Sequence, residues 1–185
     1  MTVTIQQRLH VLLTLLILGL MLSSTSPLLA APSAAISLNS PYIQNFNTLA
    51  DSGTNNTWTD DSTIAGWYSS RTTYNASTGS GTAGSLYSFG ATSDSDRALG
   101  SVASGSTGTV YYGARFINDT GSTVVELTVS YTGEQWRNSA NASTHSLTFA
   151  YQVGATTLTS GTWTNVAALN FTGPISGGTS GALDG

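Results

Sequence analysis

Polar and apolar residues alternate with a period of two along two stretches of this chain. In residues 124–132, Val125, Leu127, Val129 and Tyr131 fall on one side, and Glu126, Thr128, Ser130 and Thr132 on the other. In residues 145–153, Leu147, Phe149, Tyr151 and Val153 form a second apolar row. That period belongs to a strand with one face on a core and one in water. Residues 108–119 read as a further strand with Gly113 inside it, a place for a bulge or a close backbone approach. Shorter strand candidates are 42–46, 66–70, 85–89, 97–102 and 166–171, separated by Gly, Ser, Asn and Asp clusters at the spacing of a sandwich. The stretches 75–84 and 104–109 read as turns, too short to link domains. The pattern predicts one all-β, antiparallel sandwich over residues 36–185, with no internal repeat.

The first 35 residues follow a different rule. Arg8 and His10 precede an apolar run of 12 residues, 11–22, and small residues follow it. A membrane span needs about 20 apolar residues, whereas the core of a secretory signal needs fewer. Ser23 to Pro27 interrupts the run before Leu28 and Leu29, which favours a cleaved signal over a retained anchor. Cleavage is expected between 30 and 35, after Ala30 or after Ala35. No cysteine occurs anywhere in the chain, which excludes a lipoprotein. The expected destination is secreted or cell-surface, with no stable membrane span once the signal is removed.

Composition adds limits to this picture. Ser and Thr make up 56 of 185 residues, about 30%, there is no lysine, and the only glutamates are Glu126 and Glu134. Without cysteine, an exported fold has no disulfides and must rest on buried area and hydrogen bonds. Past the signal, Arg71, Arg97, Arg115 and Arg137 face nine acids, so the net charge is 4 − 9 = −5. No basic patch exists to neutralise phosphates, which argues against a nucleic-acid partner for this segment. Five Asn-x-Ser/Thr sequons, at Asn55, Asn75, Asn118, Asn141 and Asn170, are expected by chance in so Ser/Thr/Asn-rich a chain.

Candidate chemistry is densest where the two alternating strands are joined. The connection, residues 133–144, is twelve residues long, and such loops on a rigid scaffold often carry function. It holds Glu134, Trp136 and Arg137. One reading makes Trp136 a stacking platform for a sugar ring with the charged pair as polar handles. The other has Trp136 closing the core while Arg137 or Arg115 pairs with Glu134 or Glu126. A second candidate is Asp94 and Asp96, spaced i, i+2 before Arg97. An Asp-x-Asp loop supplies two of the several oxygen ligands that calcium takes, but the rest of a calcium loop is missing, and Asx turns serve equally. Asp60 and Asp61 form a weaker acidic pair.

Enzyme classes fall by subtraction. One histidine, His145, remains beyond the signal, so a His-rich metal site is excluded, and no cysteine ligand exists. A hydrolytic triad would need His145 near a serine and an acid, and no nucleophile-elbow motif occurs. A glycosidase needs two carboxylates across a cleft, while Glu126 lies on the polar face of a half-buried strand. No phosphate-binding glycine loop occurs. No catalytic residue is assigned.

The stretches YIQNFNTLADSGTNNTWTDDSTIAGWY, LYSFGATSDSDRALGS, GTVYYGARFINDTGSTVVELTVSYTGEQWRN and the closing GALDG (all within residues 42–185) resemble a jelly-roll-like β-sandwich module found near the N-terminus of secreted, often multidomain bacterial proteins. In such proteins the module precedes nuclease/phosphatase-like domains, lamin-tail-like domains or sorting signals. The resemblance implies an accessory or surface role without catalytic residues. It also implies that the last strands and further C-terminal domains follow Gly185, which would leave the isolated sandwich poorly soluble. The sequence thus points to a non-catalytic binding or adhesion module with glycan as the ligand class. Its alternative is the N-terminal accessory domain of a secreted hydrolase.

Overall fold

The computed structural model describes residues 2–6 and 35–185; the apolar run 11–22 and the first cleavage position, Ala30, lie outside the described residues. In chain order the strands are β1 (Thr2–Gln6), β2 (Ile36–Ser37), β3 (Asn56–Thr57), β4 (Trp67–Ser69), β5 (Thr73–Ser77), β6 (Ser85–Phe89), β7 (Ala98–Val102) and β8 (Tyr112–Ala114). They continue with β9 (Phe116–Ile117), β10 (Glu126–Ser130), β11 (Arg137–Asn138), β12 (Ser146–Leu147), β13 (Ala150–Tyr151), β14 (Thr164–Asn165), β15 (Phe171–Thr172) and β16 (Gly181–Ala182). A single 3-10 turn at Ala167–Leu169 is the only helical element among the described residues, so the chain is all-β. No helix among them is long and apolar enough to cross a membrane.

The largest sheet has the order β3-β5-β6-β7. Its central strand, β6, is buried on both faces because its sequence is apolar on both. Leu86 points into the main core with Leu49, Trp58, Ile64, Tyr74 and Leu99, against which Phe46, Trp67, Val110 and Tyr112 pack. Tyr87 and Phe89 point the other way and stack on each other, ring centroids 5.0 Å apart. Gly100 lies opposite Tyr87 in β7, and a Cβ there would come within 2.9 Å of the Phe89 ring. The missing side chain is what lets Phe89 lie flat.

β5 and β6 run parallel, although only the seven residues 78–84 connect them. Parallel neighbours usually need a dozen or more residues to cross over. Here the short return is tied down locally, since Ser77 Oγ accepts the amides of Gly79 and Gly81 at 3.1 and 3.2 Å, and Tyr87 donates its hydroxyl to Ala83 O at 2.8 Å.

Where the alternating pattern meets tertiary demands it gives way. β10 forms within 124–132, but Val125 is 60% and Leu127 42% exposed. That row becomes covered only at its far end, where Tyr131 donates its hydroxyl to Leu169 O and stacks on Phe149. Residues 145–153 split into β12 and β13, which pair with different strands, β15 and β14. At the break the Asn170 side chain replaces a ladder partner, its Oδ1 accepting the Phe149 amide at 2.8 Å. Residues 166–171 turn rather than extend because Leu169 is buried there. No strand forms over 42–46: Phe46 adopts a left-handed φ of 61°, uncommon for a bulky residue, and so meets Trp67 edge-on at 4.8 Å. Within 108–119 the strand divides into β8 and β9 around Arg115, with Gly113 inside β8.

Candidate functional site

The connection 133–144 is tethered to the end of the chain. β11 pairs antiparallel with β16, and the Leu183 amide donates to Trp136 O at 2.9 Å. Two buried polar residues anchor it further. Gln135 Nε2 donates to Ile175 O at 2.7 Å while its Oε1 accepts the Ile175 amide at 2.9 Å, so one side chain imitates a backbone ladder. Asn138 Nδ2 donates to Gly177 O and Thr179 O at 2.6 and 3.0 Å. Sequence reading missed both residues. Their signal is faint, two amides three apart in a stretch that looked like loop.

Glu134, Trp136 and Arg137 each take a defined place. The half-buried Trp136 ring lies parallel to Phe89, centroids 6.3 Å apart and 4° between planes, extending the Tyr87–Phe89 stack. Its Nε1 donates to Glu134 Oε2 at 2.7 Å, and Glu134 is exposed. Arg137 takes neutral partners instead: Nη1 donates to Gly79 O and Ser80 O at 3.0 and 3.3 Å, and Nη2 to Ser180 Oγ at 3.1 Å. The guanidinium therefore pins the β5–β6 crossover, and the pairing of Arg137 with Glu134 gives way to an indole–carboxylate contact. Gly79, at φ 86°, lets this happen, because a Cβ there would sit 1.7 Å from Trp136 O. Next to these residues is a shallow depression of about 230 Å³ with Gly133, Gln135, Phe171, Ile175, Leu183 and Asp184 among its walls.

Asp94 and Asp96 are both exposed on the turn before β7. Asp94 Oδ1 accepts the Asp96 amide at 3.0 Å, an Asx turn. Beside them Arg97 is only 4% exposed, with Nε on Ser88 Oγ at 2.9 Å, Nη2 on Ser88 O at 2.6 Å and Nη1 on Ala91 O at 3.2 Å. Burial pulls its pKa down, and the charges of Asp51, Asp94 and Asp96 push back. The acidic pair thus helps keep a buried cation charged. Among the described residues no group of three or more His, Cys, Asp or Glu could hold a metal ion.

The remaining polar candidates are tied into the scaffold. Asp60 Oδ1 accepts Trp58 Nε1 at 2.8 Å and the Ser69 amide at 2.9 Å, and Asp61 Oδ1 accepts the Gly66 amide at 2.8 Å. His145 Nε2 does have a serine neighbour, Ser139 Oγ at 3.0 Å, but both are on the surface side of the 133–144 connection. A hydroxyl–imidazole contact by itself offers neither an orienting acid nor an oxyanion hole.

Comparison with protein-family models, with curated proteins and with solved structures finds no match to this chain.

Proposed function

We propose that this chain is a non-catalytic binding module of an exported bacterial protein, a jelly-roll-like sandwich whose ligand class is glycan. The observation that carries the reading is the fixed, half-exposed indole of Trp136, stacked on Phe89 at 6.3 Å and hydrogen-bonded to Glu134 at 2.7 Å. An aromatic ring held in one orientation before the ligand arrives loses little freedom on binding. Sugar C–H surfaces rest against such rings, while carboxylate, amide and guanidinium groups take the hydroxyls. Glu134 provides a carboxylate at the indole, Asp184 provides one at the neighbouring depression, and the apolar walls of that depression are Phe171, Ile175 and Leu183.

A glycan array probed with wild type, Trp136→Ala and Glu134→Gln, each with and without calcium, tests this. Wild type is expected to bind a sugar class that Trp136→Ala loses and Glu134→Gln weakens by about tenfold, the weight of one charged hydrogen bond. Calcium dependence abolished by Asp94→Asn would bring the Asp94–Asp96 turn into the site. Near-UV circular dichroism of each variant separates lost binding from lost folding. Folded wild type that binds no glycan on the array sinks the proposal.

A further inference from the structure

We propose that the ligand taken at Trp136 is a cationic amino sugar, a saccharide with free protonated amines, rather than a neutral or acidic one; this names the ligand class of that site and rests on the glycan reading above. Around Trp136 the side-chain donors are turned onto the protein's own acceptors. Trp136 Nε1 is on Glu134 Oε2 at 2.7 Å. Gln135 Nε2 is on Ile175 O and Arg137 O at 2.7 and 3.3 Å, and Asn138 Nδ2 is on Gly177 O and Thr179 O at 2.6 and 3.0 Å. Arg137, the one cation of residues 133–144, is turned to the β5–β6 crossover and Ser180, onto Gly79 O, Ser80 O and Ser180 Oγ.

What is left for a ligand is acceptors. Glu134 is exposed and has a second carboxylate oxygen besides the one that holds the indole. Asp184 is exposed as well, and both of its neighbours touch Trp136. The Leu183 amide donates to Trp136 O at 2.9 Å, and the Cβ position of Gly185 lies 3.0 Å from the indole Cζ2. Two carboxylates therefore accompany one half-exposed ring. A sugar hydroxyl can be met by a donor or an acceptor, so a neutral ring gains nothing particular from this one-sided set. A uronate or sulfate needs donors or a cation and would meet like charges instead. A protonated amine has three donors and no acceptor, the complement of what is left. Its charge gains from the carboxylates and from the π face of the indole, the side chain that holds cations best. The hydrogen bond from Nε1 to a carboxylate leaves more electron density on the ring and strengthens that attraction.

Isothermal titration calorimetry of the full chain, at a pH where sugar amines are protonated, tests this with trisaccharides of β-1,4-linked glucosamine, of N-acetylglucosamine and of galacturonic acid. The glucosamine trimer is expected to bind at least about tenfold tighter than the N-acetylated one, the weight of one charged contact, and the galacturonic trimer is expected not to bind. Trp136→Ala should lose binding altogether. Glu134→Gln and Asp184→Asn should each narrow the preference severalfold, weakening the glucosamine trimer more than the N-acetylated one. Asp119→Asn, the same loss of charge in the connection after β9, where Asp119 accepts the Ser37 hydroxyl, should leave the preference unchanged. Near-UV circular dichroism checks that each variant is folded. An N-acetylated trimer that binds as tightly as the glucosamine trimer overturns the amino-sugar assignment and leaves the glycan reading standing. The same holds if Asp119→Asn narrows the preference as much as Asp184→Asn, which would trace it to overall negative charge, or if wild type binds other sugars on the array but not the glucosamine trimer. No binding to any sugar overturns both readings.

Discussion

Gly79 and Trp136 meet backbone to side-chain position, and the contact leaves room for hydrogen alone. With φ at 86° and a Cβ placed 1.7 Å from Trp136 O, Gly79→Ala must move either the crossover or the 133–138 segment. The expected cost is about 4 kcal/mol or more, the range reserved for backbone clashes and broken cores, read as a fall in the urea midpoint. Tyr112 supplies a pH dependence. Burial pushes its hydroxyl up to about 12, from an ordinary value near 10. Because the folded value lies above the unfolded one, this contribution is complete below pH 10 and disappears as pH rises through about 12. The difference is worth about 3 kcal/mol. Tyr112→Phe should therefore flatten the loss of stability between pH 10 and pH 12 in alkaline denaturation, and an unchanged slope would assign that loss to other groups.

Among the elements, the short β5–β6 crossover depends on a residue far along the chain. Arg137 donates to Gly79 O and Ser80 O from 58 and 57 positions away. Arg137→Ala is expected to cost about 1–3 kcal/mol, typical of a lost charged hydrogen bond. It should also make residues 78–84 the first site of limited proteolysis, which mass spectrometry of the fragments would locate. β6 was legible as a strand because Leu86, Tyr87 and Phe89 are apolar and bounded by turn residues. Its parallel pairing with β5 was not legible, since the stretch 75–84 looks like turn and the crossover is pinned by Arg137, far along the chain. The same long-range ties explain why residues 133–144 read as a free loop.

Over the whole molecule, burial is uneven. The main core lies under β3-β5-β6-β7, while Val125, Leu127, Leu147, Val153 and Ile175 in the later part of the chain stay exposed. Hydrogen exchange should follow this division, with the amides of β6 and β7 opening only near global unfolding and those of β12–β15 and β13–β14 exchanging much sooner. Equal protection in both regions would contradict the distribution of buried surface.

Period-two alternation, abundant Ser and Thr and scarce helix formers were enough to determine the all-β class, because strand formation is written in local periodicity. The same local reading placed an alternating strand at 124–132, within which β10 forms at Glu126–Ser130, and offered Trp136 as a residue closing the core. Which apolar rows are buried, that Arg137 binds carbonyls rather than Glu134, and that Asp94 and Asp96 offset a buried Arg97 were settled only in three dimensions. The first two depend on partners dozens of residues away and the third on the fold burying Arg97 against Ser88, and burial and charge pairing are properties of what the chain brings together.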